Sequence, residues 1–336
     1  MIWFRPIAMT DVCRPKGALT LAGGWAWFDR AEVLSRAGGQ GLIPAGEIPD
    51  DLRARLTAPR APLAGMALDR PRLMGVLNVT PDSFSDGGRF DSHAGALAQA
   101  RLLADTSDIL DIGGESTRPG AAEVAPETEI ARTAPLIAAL RADGLRLPIS
   151  VDTRKAAVAD AAMAAGATMV NDVSALSHDA ALGPLVVARG CPICLMHAQG
   201  TPDTMQDDPQ YDDVLLDVYE GLAARIAAAE ALGIDRAQII VDPGIGFGKT
   251  QAHNLALIRG LSLFHGLGCA LLLGVSRKRF IGTIGEAEAP DQRGPGTIAV
   301  TLAGLAQGVQ IHRVHDSKET RQALRLWQAT SAGDEA

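Results

Sequence analysis

From Arg72 onward, short apolar runs alternate with loops rich in Gly, Asp, Asn and Ser and with longer Ala/Leu-rich amphipathic stretches. The apolar runs are Leu73–Leu77, Ile109–Ile112, Pro148–Val151, Thr168–Val170, Ile193–Met196, Ile239–Val241, Ala270–Leu273 and Val309–Val314. Helical periodicity marks His93–Ala104, Pro126–Ala142, Lys155–Ala164, Asp213–Leu232, Ala252–Phe264 and Gly296–Gln307, and Ser317–Ala329 follows the eighth run. Near-continuous apolar strands imply burial on both faces, and strand–helix alternation implies parallel pairing. Eight such units in about 265 residues predict a (β/α)8 TIM barrel, whose usual size is roughly 250 residues. An open doubly wound sheet would use fewer strands and gather its chemistry at one switch point. Here polar clusters follow nearly every run, as a ring of active-site loops requires.

Residues 1–71 lack this rhythm and are expected to form an irregular N-terminal extension and linker ahead of a barrel at 72–336. They hold Trp3, Trp25 and Trp27, three of the four tryptophans. The segment Ile43–Pro71 is rich in Pro, Ala, Arg and Asp, as a linker or surface-hugging arm would be.

Composition narrows the function classes. The chain has 336 residues, 47% hydrophobic and 21% charged, which is ordinary for a globular protein. A net charge of −8 argues against general binding to nucleic acid or a membrane surface, both anionic. It leaves room for a small basic phosphate pocket. The start shows no signal-peptide pattern, and the apolar run Ala18–Phe28 is too short to span a bilayer, so a cytoplasmic protein is expected. Cys191-Pro192-Ile193-Cys194 has redox spacing but runs into an apolar strand, so two small buried residues are the expectation. No second CxxC completes a zinc site.

The chemistry-bearing residues follow the apolar runs. After the first comes the long polar loop Asn78–Gly88, containing Phe84. After the second comes Asp111–Gly120, whose glycines permit close backbone approach and which carries Arg118. Asp152 follows the third run, Asn171 and Asp172 the fourth, and Asp242–Thr250 the sixth. That sixth loop resembles a phosphate loop but fails the GxxxxGK[ST] spacing, because Pro243 stands where the first glycine belongs. The seventh run ends in Gly274-Val275-Ser276-Arg277-Lys278 and the eighth in His312-Arg313-Val314-His315-Asp316. Strand alternation puts Arg313 and His315 on one face and His312 on the other, so a His312/His315 metal pair is disfavoured. Barrels often bind phosphate around strands seven and eight. Thus Asp152, Asn171 and Asp242 form an acidic half suited to the N–H groups of an amidine-like heterocycle. Ser276, Arg277, Lys278, Arg313 and His315 form a cationic half suited to phosphate.

The segments LMGVLNVTPDSFSDGG, DIGGESTRPGA, ISVDTRK, NDVSAL, CLMHAQGTP, DPGIGFGK, GVSRKRFIG and RVHD, in this order, make residues 72–330 resemble the bacterial dihydropteroate synthases. The resemblance implies condensation of 6-hydroxymethyl-7,8-dihydropterin pyrophosphate with p-aminobenzoate by an SN1-like path in folate biosynthesis. It implies that Asp152, Asn171, Met196, Asp242, Gly274 and Lys278 hold the pterin. Asn78, Arg313 and His315 would take the pyrophosphate, with Mg²⁺ at Asn78. Phe84, Thr117, Arg118, Pro119, Phe247, Ser276 and Lys278 would surround p-aminobenzoate. Asp152, Asp242, Lys278 and Arg313 would carry catalysis. A homodimer through the last helices is also implied. The alternatives are a pterin-dependent methyltransferase, which has no pyrophosphate to bind, and a non-catalytic pterin-binding paralogue. Arg279-Phe280 and residues 1–71 lie outside the resemblance.

Overall fold

The computed structural model describes residues 1–79, 92–116, 123–200 and 205–331. Eight parallel strands close into a barrel: β6 (Arg72–Asn78), β7 (Ile109–Gly113), β8 (Ile149–Asp152), β9 (Met169–Asp172), β10 (Ile193–Met196), β11 (Ile239–Asp242), β12 (Ala270–Leu273) and β13 (Ile311–Val314). β13 pairs back with β6, with Arg313 opposite Met74. All residues of β7 through β12 are buried, which explains why their sequences read as near-continuous apolar runs interrupted by a few polar residues, most of them at the strand ends. Side chains of alternate positions fill the interior: Met74, Ile109, Met169, Cys194, Ile240, Leu272 and Ile311 form one cluster. A larger cluster lies between the strands and the surrounding helices.

Those helices are α2 (Ser92–Ala104), α3 (Pro126–Ala142), α4 (Ala156–Ala165), α5 (Leu182–Arg189), α6 (Val214–Ala231), α7 (Gln251–Arg259), α8 (Arg279–Ile284), α9 (Gly294–Leu305) and α10 (Ser317–Ser331). Two departures from the sequence expectation have local causes. α5 is absent from the periodicity because Gly183 and Pro184 occupy its first turn, where a missing N–H costs nothing. α7 stops at Gly260 instead of running to Phe264, and a 3₁₀ segment, Leu261–Leu267, continues the chain. The side chain of Leu215 packs at 2.6 Å from where a Cβ on Gly260 would stand. Arg279-Phe280 opens α8, and Phe280 is buried in the outer core.

The N-terminal extension is not irregular. β1 (Ile2–Pro6), β4 (Arg30–Ser35) and β5 (Gly38–Pro44) form an antiparallel sheet in the order β1-β4-β5. β2 (Leu19–Thr20) pairs with β3 (Trp27–Phe28), and α1 (Asp50–Thr57) follows. These strands are short and mix burial with exposure, so no long periodic run betrays them. Leu21, Ala26, Phe28, Ala31, Ala45, Ile48 and Leu56 give the extension its own core. Trp3 packs with Leu216 and Leu263, Trp25 Nε1 donates to Leu305 O at 2.9 Å, and Ser262 Oγ donates to Pro6 O at 2.7 Å. The linker is not a surface arm throughout either. Leu63 and Leu68, 1% and 2% exposed, join the cluster that fills the barrel interior.

Candidate active site

Strand register assembles the site. Asn78 lies opposite Gly113, Gly113 opposite Asp152, and Asp152 opposite Asn171, so one rung crosses four neighbouring strand ends. Further round, Met196 pairs with Asp242. Inward alternation places Asp111 two residues below Gly113 on the same face. There Arg313 ties the group together. Its Nε donates to Asp111 Oδ2 at 2.6 Å and its Nη2 to Asp152 Oδ2 at 2.8 Å. Asn171 Nδ2 donates to the same Asp111 oxygen at 3.1 Å. The other carboxylate oxygens, Asp111 Oδ1 and Asp152 Oδ1, are buried without a hydrogen-bond partner among the described residues. Buried acceptors of this kind are costly unless a ligand donor meets them. Burial, with Asp111 nearby, raises the Asp152 pKa against the pull of Arg313.

The β11–α7 turn builds the adjoining wall. Asp242 Oδ1 accepts from Gly244 N at 2.7 Å, and burial raises its pKa against the opposing field of Lys278. Gly274 packs beside it; a Cβ there would stand 3.6 Å from Asp242 Oδ2. The Lys278 ammonium donates to Ile245 O and sits 4.7 Å from the centroid of the Phe247 ring. Burial lowers its pKa to about 8, although Asp242 opposes the shift. Met196 is buried beside Gly244. A cavity of 390 Å³ flanks this wall, bounded by Met196 and Phe247 and by Arg154 and Arg225.

Two sequence expectations change. The acidic and cationic halves are interleaved, because the Arg313 guanidinium lies against two carboxylates. Arg277, counted with the cations, forms an ion pair with Asp316, its Nε 3.0 Å from Oδ2. Its φ of 58° and its N–H bond to Thr297 fix it in that turn. Ser276 Oγ lies 2.9 Å from His315 Nδ1 and accepts from His315 N at 3.0 Å, so it sits on the histidine side of the mouth. His312 is buried, its Nε2 3.0 Å from Val309 O, as alternation required. Phe84, Thr117, Arg118 and Pro119 lie outside the described residues. Cys191 and Cys194 are buried free thiols.

Asp111 was missed as a site residue. Its signal was a carboxylate inside an apolar strand, two positions before a strand-end glycine. His197 and Lys249 were missed too, since neither falls at an inward strand position.

A barrel with a buried carboxylate–amide–guanidinium cluster at its C-terminal mouth defines an enzyme that grips a polar heterocycle there. In agreement, residues 74–315 match the family model for pterin binding enzymes. The dihydropteroate synthase of Neisseria meningitidis serogroup B is 49% identical over 271 residues, covering 79% of this chain and 94% of that protein. That of Escherichia coli K12 is 44% identical over 269 residues, covering 80% and 94%. The solved Xanthomonas albilineans dihydropteroate synthase with 4-aminobenzoic acid superposes with a TM-score of 0.77 at 46% identity, covering 82% of this chain and 99% of that one. The chain belongs to the dihydropteroate synthase family, whose members are transferases.

Proposed function

We infer that this chain condenses 6-hydroxymethyl-7,8-dihydropterin pyrophosphate with p-aminobenzoate, giving 7,8-dihydropteroate and pyrophosphate in folate biosynthesis. The observation that carries the reading is the Asp111–Arg313–Asp152 bridge with Asn171, whose two unpartnered buried oxygens suit the ring N–H donors of a pterin. A relative solved with 7,8-dihydropteroate, 44% identical with a TM-score of 0.74, supports the product.

In the SN1-like path, the bond between the pterin methylene carbon and the pyrophosphate oxygen breaks, and its electron pair leaves with the oxygen. The cation left on the pterin is stabilised by Asp242 and Asp152, preorganised in a buried site. The aniline nitrogen of p-aminobenzoate then attacks and loses a proton; no strong base is needed, because that nitrogen is already nucleophilic. Lys278, between Asp242 and the Phe247 ring, stands at the junction of the two substrates. Among the described residues Arg313 Nη1 has no hydrogen-bond partner, Nε and Nη2 being used, which leaves it for a ligand, and His315 with Ser276 flanks the leaving group.

Mg²⁺ commonly keeps its waters and takes substrate phosphates with few protein oxygens. Asn78 fits that sparse role. Its Oδ1 faces Gly113, where a Cβ would stand 3.7 Å away. Bound there, the ion would neutralise charge on the pyrophosphate. The family resemblance also supports a cytoplasmic homodimer.

A coupled assay tests the reading: pyrophosphate should be released only when p-aminobenzoate and the pterin substrate are both present. Methyl transfer from a folate without pyrophosphate release, or tight pterin binding with no turnover, would overturn it.

A further inference from the structure

Lys249 is 3% exposed, and burial pulls its pKa down to about 7, so the fold bears a cost for keeping an amine there. Its three donors are all engaged: Phe247 O at 2.9 Å, His197 O at 3.2 Å and His197 Nδ1 at 3.1 Å. His197 is itself held neutral, burial lowering its pKa to about 3. The lysine therefore joins the chain leaving β10 to the turn between β11 and α7.

Other bonds hold parts of that turn, Gly246 N to Asn254 Oδ1 at 2.7 Å, Gln206 Nε2 to Gly246 O at 2.6 Å and Tyr211 Oη to Gly248 O at 2.8 Å, but among the described residues Lys249 is the side chain that holds the Phe247 carbonyl. Gly244, Gly246 and Gly248 have φ of 68°, 84° and 63°, and none contributes a side chain. Gly244 abuts His197 O, and a Cβ on Gly248 would stand 2.5 Å from Gln199 O. Yet the turn presents Ile245 O to Lys278 and the Phe247 ring beneath the same ammonium. The Asp242 backbone is anchored by pairing with Met196 and by the bond from His197 N to its carbonyl at 2.9 Å, while its carboxylate accepts from Gly244 N of the same turn; the Asp111–Arg313–Asp152 cluster has no bond to the turn among the described residues.

We propose that Lys249 is a positioning residue that sets Phe247 and, through Ile245, Lys278 for p-aminobenzoate, while leaving the Asp111–Arg313–Asp152 cluster in place. This rests on the reading above that Phe247 and Lys278 face the second substrate. The test is Lys249→Met, which keeps the stem and removes the donors, in the full-length protein with cooperative unfolding verified. The KM for p-aminobenzoate should rise about tenfold or more, since sub-ångström misplacement carries penalties of that order. Calorimetric affinity for the dihydropterin pyrophosphate should fall by a clearly smaller factor, because the Asp111–Arg313–Asp152 cluster makes no bond to the turn among the described residues. Gly248→Ala pushes the same turn away from Gln199 without touching a charge and should reproduce the split; it decides the matter if Lys249→Met does not fold. Equal losses for both ligands, or an unchanged p-aminobenzoate KM in the folded variants, overturn the proposal. Phe247→Ala separates the two failures. A defect there alongside a normal Lys249→Met refutes the role of Lys249 alone. No defect there removes the placement of p-aminobenzoate and the proposal with it.

Discussion

Arg313 donates from Nε to Asp111 and from Nη2 to Asp152, so one guanidinium holds two buried carboxylates side by side. Without it they would repel each other in a low-dielectric site. Arg313→Ala should therefore cost about 3–5 kcal/mol of unfolding free energy, because it strands buried charge. It should weaken free pterin as well as pyrophosphate, and calorimetry with each ligand checks this; a loss confined to pyrophosphate would show that the carboxylates stand without it. Lys278 supplies a pH signature. Burial sets its pKa at about 8, so the ammonium is present below that pH and lost above it. If the cation is needed between the two substrates, kcat/KM for p-aminobenzoate should fall as pH rises through about 8. Lys278→Arg, permanently charged, should flatten that limb whatever its absolute rate; a limb unmoved in that variant would assign it to another group.

Elements show how much a chain can hide. The barrel strands were legible because burial on both faces makes them largely apolar, and their ends carried Asp152, Asn171, Asp242 and Arg313 in the open. The sheet of β1, β4 and β5 was not legible, since one face packs on the barrel while the other meets solvent in strands of few residues. Yet that sheet is energetically joined to the barrel. Trp3, 5% exposed, fills a site between Leu216 and Leu263. Trp3→Ala should cost about 3–5 kcal/mol in urea unfolding, as large-to-small core changes do, with kcat/KM retained. A loss of activity at unchanged stability would instead connect the extension to catalysis. Asp111 was obscured for a different reason: a carboxylate within an apolar strand announces burial, but not the partner on β13 that gives it a purpose.

At the scale of the whole molecule, extension and barrel share cores. Leu63 and Leu68 sit among the residues filling the barrel, and Trp25 packs with Leu73, Leu305 and Trp327. One cooperative transition is expected. Tryptophan fluorescence, dominated by the extension's three indoles, should melt at the same denaturant concentration as far-UV circular dichroism. An earlier fluorescence transition would mean that the extension unfolds alone.

The (β/α)8 plan, the strand ends that carry chemistry and the opposed faces of His312 and Arg313 follow from local rules. Burial dictates composition, and the two-residue strand period dictates direction, so a linear pattern suffices. The pairing of Arg313 with Asp111 and Asp152, the diversion of Arg277 to Asp316, and the seat of Lys249 against His197 depend on closure. They join residues 202, 161, 39 and 52 positions apart. Which charges meet across such separations is set by where the closed barrel and its loops bring them, and no local pattern records it.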